Sequence, residues 1–590
     1  MSRASSALAA DAPSPSLRQR PSLRQRMGRA GPTGPLALLT GLLLAALVLP
    51  PLAVLLQVSL TTANPDGSPG AFTLRHYRQL FADPALYCSA WNSLLFAGSA
   101  TLVSLGFGGV LAWVVERTNA PLKALAYLTA IISMGTPYIL YVTAWLFLFG
   151  RAGPFNDWYR SLSGSTGILF DPYSLWGMIL VEGFLWSPLV FLLLSATFRA
   201  ANAEMEEAAR MSGASILETV RLVSLRLAWP AILALALFVF IRNLESFDVP
   251  VLIGMPGRIS LLTTEIYLAT KEVPPLLGHA SAFSVVMIGI VGTLLVLYGR
   301  VSRNAERYAS VTGKGFRPRP FDLGRARWAG GVLIGFNFAV VLGLPLSALL
   351  WTSLTPFARP MRWAALPSLT VKNYRAVFGV PAYLDLAANT LLAAAGAATA
   401  AVLLTLCAAW IAARRRAGGA VLDQLATLPL VFPGIVLGVA LMELALRAPF
   451  PLYGTLGLIT LGFVIRYMPY GMRYAYSGVL QIHRELEEAA GVAGAGPLGT
   501  LRRVVVPLLS PALVSGWLFI FLIAAKELSM AVLLAGPGSQ TMAVAMFDLW
   551  TNGQGGELSA LGLLWTLLMT AFAAALYMLG RRGAGGAFGR

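Results

Sequence analysis

The chain has 590 residues, 57% of them hydrophobic and only 12% charged, with a formal net charge of +18. About a quarter of a soluble domain is charged, so this composition excludes a water-soluble globular protein. The basic residues sit in short blocks beside apolar runs, which excludes nucleic acid as a partner and assigns the charge to one side of a lipid bilayer and its anionic headgroups.

Runs of about twenty apolar residues recur along the chain, enough for helices to cross a bilayer core. The alternating strands of an outer-membrane barrel are not seen. The expected fold is all-α and polytopic. Residues 1–34 form a basic tail with a tandem PSLRQR, a composition without packing potential. The apolar run that follows is too long for a cleaved signal and is expected to stay as the first span. Twelve spans are expected, over 35–60, 91–115, 122–149, 174–196, 229–251, 281–300, 328–353, 387–412, 421–446, 454–476, 511–535 and 558–580. The polar, basic segment 301–327 then links two halves, 35–300 and 328–582, and 583–590 is a short tail. Cys88 lies near a span boundary and Cys407 within a span, which argues against a disulfide or a metal cluster.

The halves repeat. Glu204-Met-Glu-Glu-Ala-Ala and Glu485-Leu-Glu-Glu-Ala-Ala open two loops 281 residues apart, and Gly213, Thr219, Arg221 and Pro230 recur as Gly494, Thr500, Arg502 and Pro511. His76-Tyr-Arg and Asn92-Ser-Leu-Leu return 297 residues later as Asn373-Tyr-Arg and Asn389-Thr-Leu-Leu. Six spans per half is an even number, so the halves run parallel about a pseudo-twofold along the membrane normal. With the Arg-rich N-terminus in the cytoplasm, both loops follow an even number of crossings and are cytoplasmic. The basic linker and the C-terminus fall on the same side, as their charge requires.

Within each loop, Glu207-Ala208-Ala209 and Glu488-Ala489-Ala490 are expected to form a short helix whose small side chains permit close approach of another protein. The glutamates complement the helix start and offer carboxylates to an external cation. Gly213 and Gly494 are expected to end the helices in a conformation closed to other residues. A second amphipathic helix then runs to Pro230 and Pro511, expected as the first residues of the next spans. One acidic loop helix alone could be a plain solvated surface; its duplication with Gly, Thr, Arg and Pro in register argues otherwise.

This pattern resembles the cytoplasmic motif of binding-protein-dependent ABC importer permeases, and the resemblance covers nearly the whole chain. It implies the type I importer fold of the maltose and molybdate transporters. The loop helices would be coupling helices seated in two copies of a cytoplasmic ABC ATPase, with a periplasmic binding protein delivering substrate to a permease in the bacterial inner membrane. Glu207, Ala208, Ala209 and Gly213 match the motif in the first half, and Glu488, Ala489, Ala490 and Gly494 in the second. Arg226 stands where the second half, like the family, has proline (Pro507), so the first loop is expected to re-enter the membrane differently. No phosphate-binding G-x-x-x-x-G-K-[ST] loop, catalytic triad or metal-spaced histidine set occurs. The chain is expected to be no enzyme and to bind no cofactor, with ATP and Mg²⁺ on the partner ATPase.

Charges within spans are costly and mark candidate gate or path residues. Glu182 and Arg466 are expected at similar depth and as a possible ion pair between the halves; satisfaction within each half is the competing reading. Glu245 and Glu527 are expected near the outer ends of the fifth and eleventh spans, to line an outer gate or meet the binding protein. Arg242 and Lys526 beside them favour local structural pairs.

Gly313-Lys-Gly, FDLGRARW from Phe321, LTTEIYLA from Leu262 and LQIHRELEEAA from Leu480 resemble the fused iron(III) importer permeases. Permeases for thiamine and aminoethylphosphonate share the layout. The rival of another class is a twelve-span secondary transporter, which predicts a basic Gly-rich loop between the second and third spans. That loop here is only ERTNAPLK.

Overall fold

The computed structural model describes residues 34–587 apart from 65–67, 201–202, 308–319, 358 and 360. Nearly all of the expected N-terminal tail, the middle of the linker with Gly313-Lys-Gly, and residues 588–590 lie outside the described residues.

Among the described residues, nine helices are long and apolar enough to cross a bilayer: Gly34–Leu60, Pro84–Arg117, Leu175–Arg199, Ile216–Leu244, Leu277–Ser302, Gly324–Ser353, Ala382–Ala413, Pro497–Ala524 and Gly555–Phe572. Two bent pairs raise the number to eleven: Lys123–Gly135 with Tyr138–Ser163 at 109°, and Gly419–Val431 with Gly434–Leu446 at 102°. Leu456–Gln481 takes the place of the expected tenth span, but it carries Arg466 and Arg473 and falls outside that group.

The third and ninth expected spans are therefore broken rather than continuous. Each break is at a proline. Pro137 and Pro433 lack an N–H to continue the helix and hold the preceding residue extended, Thr136 at ψ 130° and Phe432 at ψ 108°.

The fifth and eleventh helices also differ from expectation. They begin at Ile216 and Pro497, well before the predicted 229 and 511, and end at Leu244 and Ala524. Pro230 and Pro511 lie inside them rather than at their start. Hydropathy placed the spans too late because the segment beyond Leu244 is as apolar as a span. Val249, Val251, Leu252 and Ile253 there are buried in the core. The first half makes a π-turn over Pro250–Gly254 where the second half makes an α-turn, Ala531–Leu534.

The repeated sequence words make the same contacts twice. His76 Nε2 meets the Thr61 carbonyl, and Asn373 donates to those of Ser353 and Thr355, so each word caps the end of its half's first helix. Asn92 donates to Ser260 O while Ser93 accepts from Leu262 N; Asn389 and Thr390 do the same for Gly538 O and Met542 N. Each pair pins the segment that follows its half's long loop-to-span helix.

The second and fourth helices of each half pack closest, in part through a glycine placed on opposite partners. In the first half Gly108 faces Val190, whose Cγ1 would lie 2.9 Å from an added Cβ. In the second half the positions reverse: Thr405, at the register of Gly108, faces Gly471, at the register of Val190, with 2.7 Å to Thr405 Oγ1. Either arrangement lets the two backbones approach where van der Waals contact is the main attraction.

Candidate functional site

The duplicated loops fold as two short helices, Ala203–Met211 and Arg484–Val492. Both end in the same hydrogen-bonded turn. Gly213 N donates to Arg210 O at 2.9 Å and Ala214 N to Ala209 O at 3.1 Å; Gly494 N donates to Gly491 O at 3.0 Å and Ala495 N to Ala490 O at 2.9 Å. Gly213 and Gly494 have φ of +88° and +83°. A Cβ at either would meet nothing within 4 Å, so the backbone angle alone calls for glycine.

Ala208 and Ala489 are exposed, Ala209 and Ala490 half-buried, and Glu488 exposed with Glu207 half-buried. Around them three apolar side chains per loop stand in matched positions: Met205, Met211 and Leu217 in the first, Leu486, Val492 and Leu498 in the second. Met211 is 90% exposed and Val492 91%. These side chains form two matched, exposed apolar patches.

The glutamate that anchors each helix is the one before the expected residue. Glu206 and Glu487 are buried. Glu487 accepts from Trp410 Nε1 at 3.1 Å and Arg414 Nε at 2.8 Å, with Arg416 at 3.5 Å. Glu206 accepts from the Ser224 hydroxyl at 2.7 Å and lies 3.6 Å from Arg117. Arg117 and Arg414 end the second long helix of their halves, 297 residues apart, as are Trp113 and Trp410. That repeat was the available signal; it shares its offset with the Asn92 and Asn389 words. The different re-entry expected from Arg226 against Pro507 is not observed. Both loops pass through a π-turn at the same register, Val220–Ser224 and Leu501–Val505, so the turn does not depend on the proline's missing N–H.

The charged candidates within the spans converge on one cavity of about 40 Å³, lined by both halves. Its walls include the carboxylates of Glu182, Glu245, Asp248 and Glu527 and the cations of Arg242, Arg466 and Lys526. The space holds about three water molecules at most.

Glu182 and Arg466 share the cavity but do not pair. Glu182 accepts from Trp186 Nε1 at 3.0 Å, one turn along its own helix. Arg466 instead lies 3.5 Å from Glu527 and donates to Phe432 O at 3.3 Å. Glu245 does take its neighbour Arg242, at 2.8 Å, as the local-pair reading expected. Lys526 does not neutralise Glu527: it donates to Met134 O at 2.8 Å and lies 4.2 Å over the Tyr138 ring. Glu527 takes hydroxyls from Tyr467 and Ser529.

A physical logic unites Lys526 and Arg466. The two broken helices leave carbonyls without a partner at their breaks, where the helix dipole ends negative. Lys526 donates to Met134 O at the first break and Arg466 to Phe432 O at the second. Gly434 makes room at the latter: a Cβ there would lie 2.9 Å from Arg466 Cζ and overlap Ser529 Oγ. Asp248 was missed at the sequence level, and its buried Oδ1 has no hydrogen-bond partner among the described residues.

A family model described as "Binding-protein-dependent transport system inner membrane component" matches residues 104–305 and again 401–582, so each match contains one loop helix. The chain is 27% identical over 495 residues to the ferric transport system permease protein FbpB of Actinobacillus pleuropneumoniae, covering 81% of this chain and 69% of that one. A Salmonella typhi permease named for 2-aminoethylphosphonate transport, PhnV, is 28% identical over 256 residues, 43% of this chain and 94% of its own. The putrescine transport system permease protein PotI of Escherichia coli is 32% identical over 142 residues, 23% of this chain and 50% of its own. The shorter relatives match part of this chain, whereas the ferric permease aligns across most of it. With two matches spanning more than half its length, the chain belongs to the family of binding-protein-dependent transport system inner membrane components, as a multi-pass ABC permease with both halves fused.

Proposed function

We propose that this chain is the membrane subunit of an ATP-driven importer for iron(III). Two copies of a cytoplasmic ATPase engage the loop helices, and a periplasmic binding protein delivers the cargo. Both termini and both loops lie in the cytoplasm. The observation that carries the reading is the duplicated loop helix. Each presents a partly exposed EAA surface and an exposed apolar trio, while a buried glutamate ties its other side to the end of a span. A pull on such a helix reaches the bundle through Glu206 and Arg117 in one half and Glu487 and Arg414 in the other. ATP and Mg²⁺ belong to the partner, whose closure opens the charged cavity outward and whose reset closes it.

The iron assignment draws support from the ferric permease relative, which aligns with most of the chain. Fe(III) prefers hard oxygen ligands. In the cavity the carboxylates are interleaved with Arg242, Arg466 and Lys526, so the path offers passing polar contacts and the binding protein does the selecting. The relatives named for 2-aminoethylphosphonate and putrescine favour a second reading, the same machine with another small solute. A competition assay separates the two. Proteoliposomes containing the permease, its ATPase and its binding protein should take up labelled iron(III) only with ATP inside the ATPase compartment. Unlabelled 2-aminoethylphosphonate, putrescine or thiamine should not compete. Uptake driven by a proton gradient without ATP would replace the importer with a secondary transporter.

A further inference from the structure

The two halves contain one latch in two states. In the second half it is shut: Trp410 and Arg414 both hold Glu487, the arginine at 2.7 Å, and Arg416 lies 4.1 Å over the Trp410 ring. In the first half the same three residue types stand in register, with a longer ion pair. Arg117 is 3.6 Å from Glu206, and Trp113 Nε1 is buried without a hydrogen-bond partner among the described residues.

Glu206 takes the Ser224 hydroxyl at 2.7 Å in place of the tryptophan, and the inter-half linker packs against Trp113. Phe321 forms a parallel bridge with Thr118, donating its N–H to Arg117 O at 2.7 Å and accepting from Asn119 N at 3.1 Å. The Asn119 side chain closes the clasp, donating to Asp322 at 2.6 Å and accepting Leu323 N–H at 3.1 Å. The Gly324 N–H, and after it Asn119, hold the Asp322 carboxyl below the usual carboxylate range. The Phe321 ring is buried, with its centroid 6.0 Å from that of Trp113 and 5.3 Å from Arg210 Cζ, on the first loop helix itself. The linker thus touches the helix end that anchors the loop and the loop helix in one stroke.

We propose that the linker segment Phe321–Leu323 is a strap that positions the first coupling helix, doing there what Trp410, Arg414 and Arg416 do for the second, so that the two motor-docking sites depend on different contacts. The inference rests on the coupling reading given above. It makes Phe321 and Asn119 positioning residues of a machine whose two sites would otherwise be equivalent, and it gives the fused linker a mechanical task beyond tethering.

The test uses the full permease with its ATPase and binding protein in proteoliposomes, and reads ATP hydrolysis stimulated by the binding protein. Arg414→Ala should lower stimulation about tenfold whatever the state of the linker, whereas Arg117→Ala alone should lower it less than about threefold, because the strap remains. Combining Arg117→Ala with Phe321→Ala should lower it about tenfold or more, well beyond the product of the single effects, as expected of contacts that share one load. Asn119→Ala opens no cavity, so its combination with Arg117→Ala must show the same excess loss even if Phe321→Ala impairs folding. A double variant no worse than the product of its singles, or Arg117→Ala as damaging as Arg414→Ala, overturns the strap. Amide exchange in the permease alone keeps the two readings apart. Phe321→Ala should speed exchange over 203–219 and leave 484–500 unchanged, a result independent of whether any ATPase docks. If the unaltered complex shows no stimulation at all, the coupling reading fails instead.

Discussion

Glu487→Ala tests the claim that a buried glutamate, rather than the exposed one beside it, fastens each loop helix. The substitution leaves Arg414, whose side chain is 7% exposed, without its carboxylate. Removing one partner of a buried ion pair costs about 3–5 kcal/mol. Two features place this case at the lower end: Arg414 Nη2 keeps its bond to Ile482 O at 2.9 Å, and Arg416 is 30% exposed and reaches water. A loss of about 3 kcal/mol is about a hundredfold in the equilibrium for local opening. Glu206→Ala removes one short hydrogen bond to a charged oxygen and a looser ion pair, about 1.5 kcal/mol, or roughly tenfold. Hydrogen–deuterium exchange on the full permease in nanodiscs measures both openings directly, over 484–495 for the first variant and 203–214 for the second. Glu488→Ala, at an exposed position, serves as the control and should change exchange less than about threefold. If Glu487→Ala exchanges no faster than Glu488→Ala, the buried carboxylate is not the fastening and the route from loop to span must be sought elsewhere.

Other consequences follow from the same geometry. Gly434→Ala pushes a methyl group against Arg466 and Ser529, so it should cost about 1–3 kcal/mol as overpacking. A lowered melting temperature together with weakened uptake checks it. Glu207→Lys with Glu488→Lys reverses charge on the loop surfaces and should leave membrane insertion and thermal stability within about 0.5 kcal/mol of the parent. ATPase co-purification and uptake should both be lost. Gly471→Ala should destabilise by about 1–3 kcal/mol through its clash with Thr405 Oγ1, and Thr405→Ala in the same chain should recover most of that loss. Thermal unfolding of the single and double variants reads the recovery.

Much of the architecture was legible because the chain says it twice. The 281-residue repeat located both loops, and Gly213 and Gly494 carried their left-handed turns openly in the sequence. Where the reading failed, hydropathy could not tell apart two apolar structures. The stretch after Leu244 has the composition of a span but folds as a buried turn, so the fifth helix was placed too far along. Pro137 and Pro433 were visible, yet a proline within an apolar run kinks some helices and breaks others. Glu206 and Glu487 were passed over because the motif drew attention to the next glutamate. Their partners, Trp113 with Arg117 and Trp410 with Arg414, are two-residue echoes at a different offset from the loops themselves. The Glu182–Arg466 pair failed for a simpler reason: equal depth along two helices does not fix the direction in which either side chain points. Asp248 gave no repeat signal, since its register in the second half is Ser529.

The lack of repetition in the cavity has its own explanation. Of the seven charged residues lining it, only Glu245 and Lys526 occupy matching positions, and they carry opposite charges. Arg466 matches Leu185, Glu527 matches Ser246, Arg242 matches Ile523, and Glu182 matches Phe463. Were the halves identical, every charge near the pseudo-twofold would face a copy of itself, and like charges in a low-dielectric space repel strongly. Divergence removes that constraint. The second half contributes two cations that satisfy the carbonyls of both broken helices, including the first half's Met134 O, and the first half contributes two carboxylates, Glu182 and Asp248, that have no counterpart. A homodimer of either half would carry two unmatched sets of buried charge. Fusing unlike halves in one chain secures the one-to-one pairing that this cavity requires.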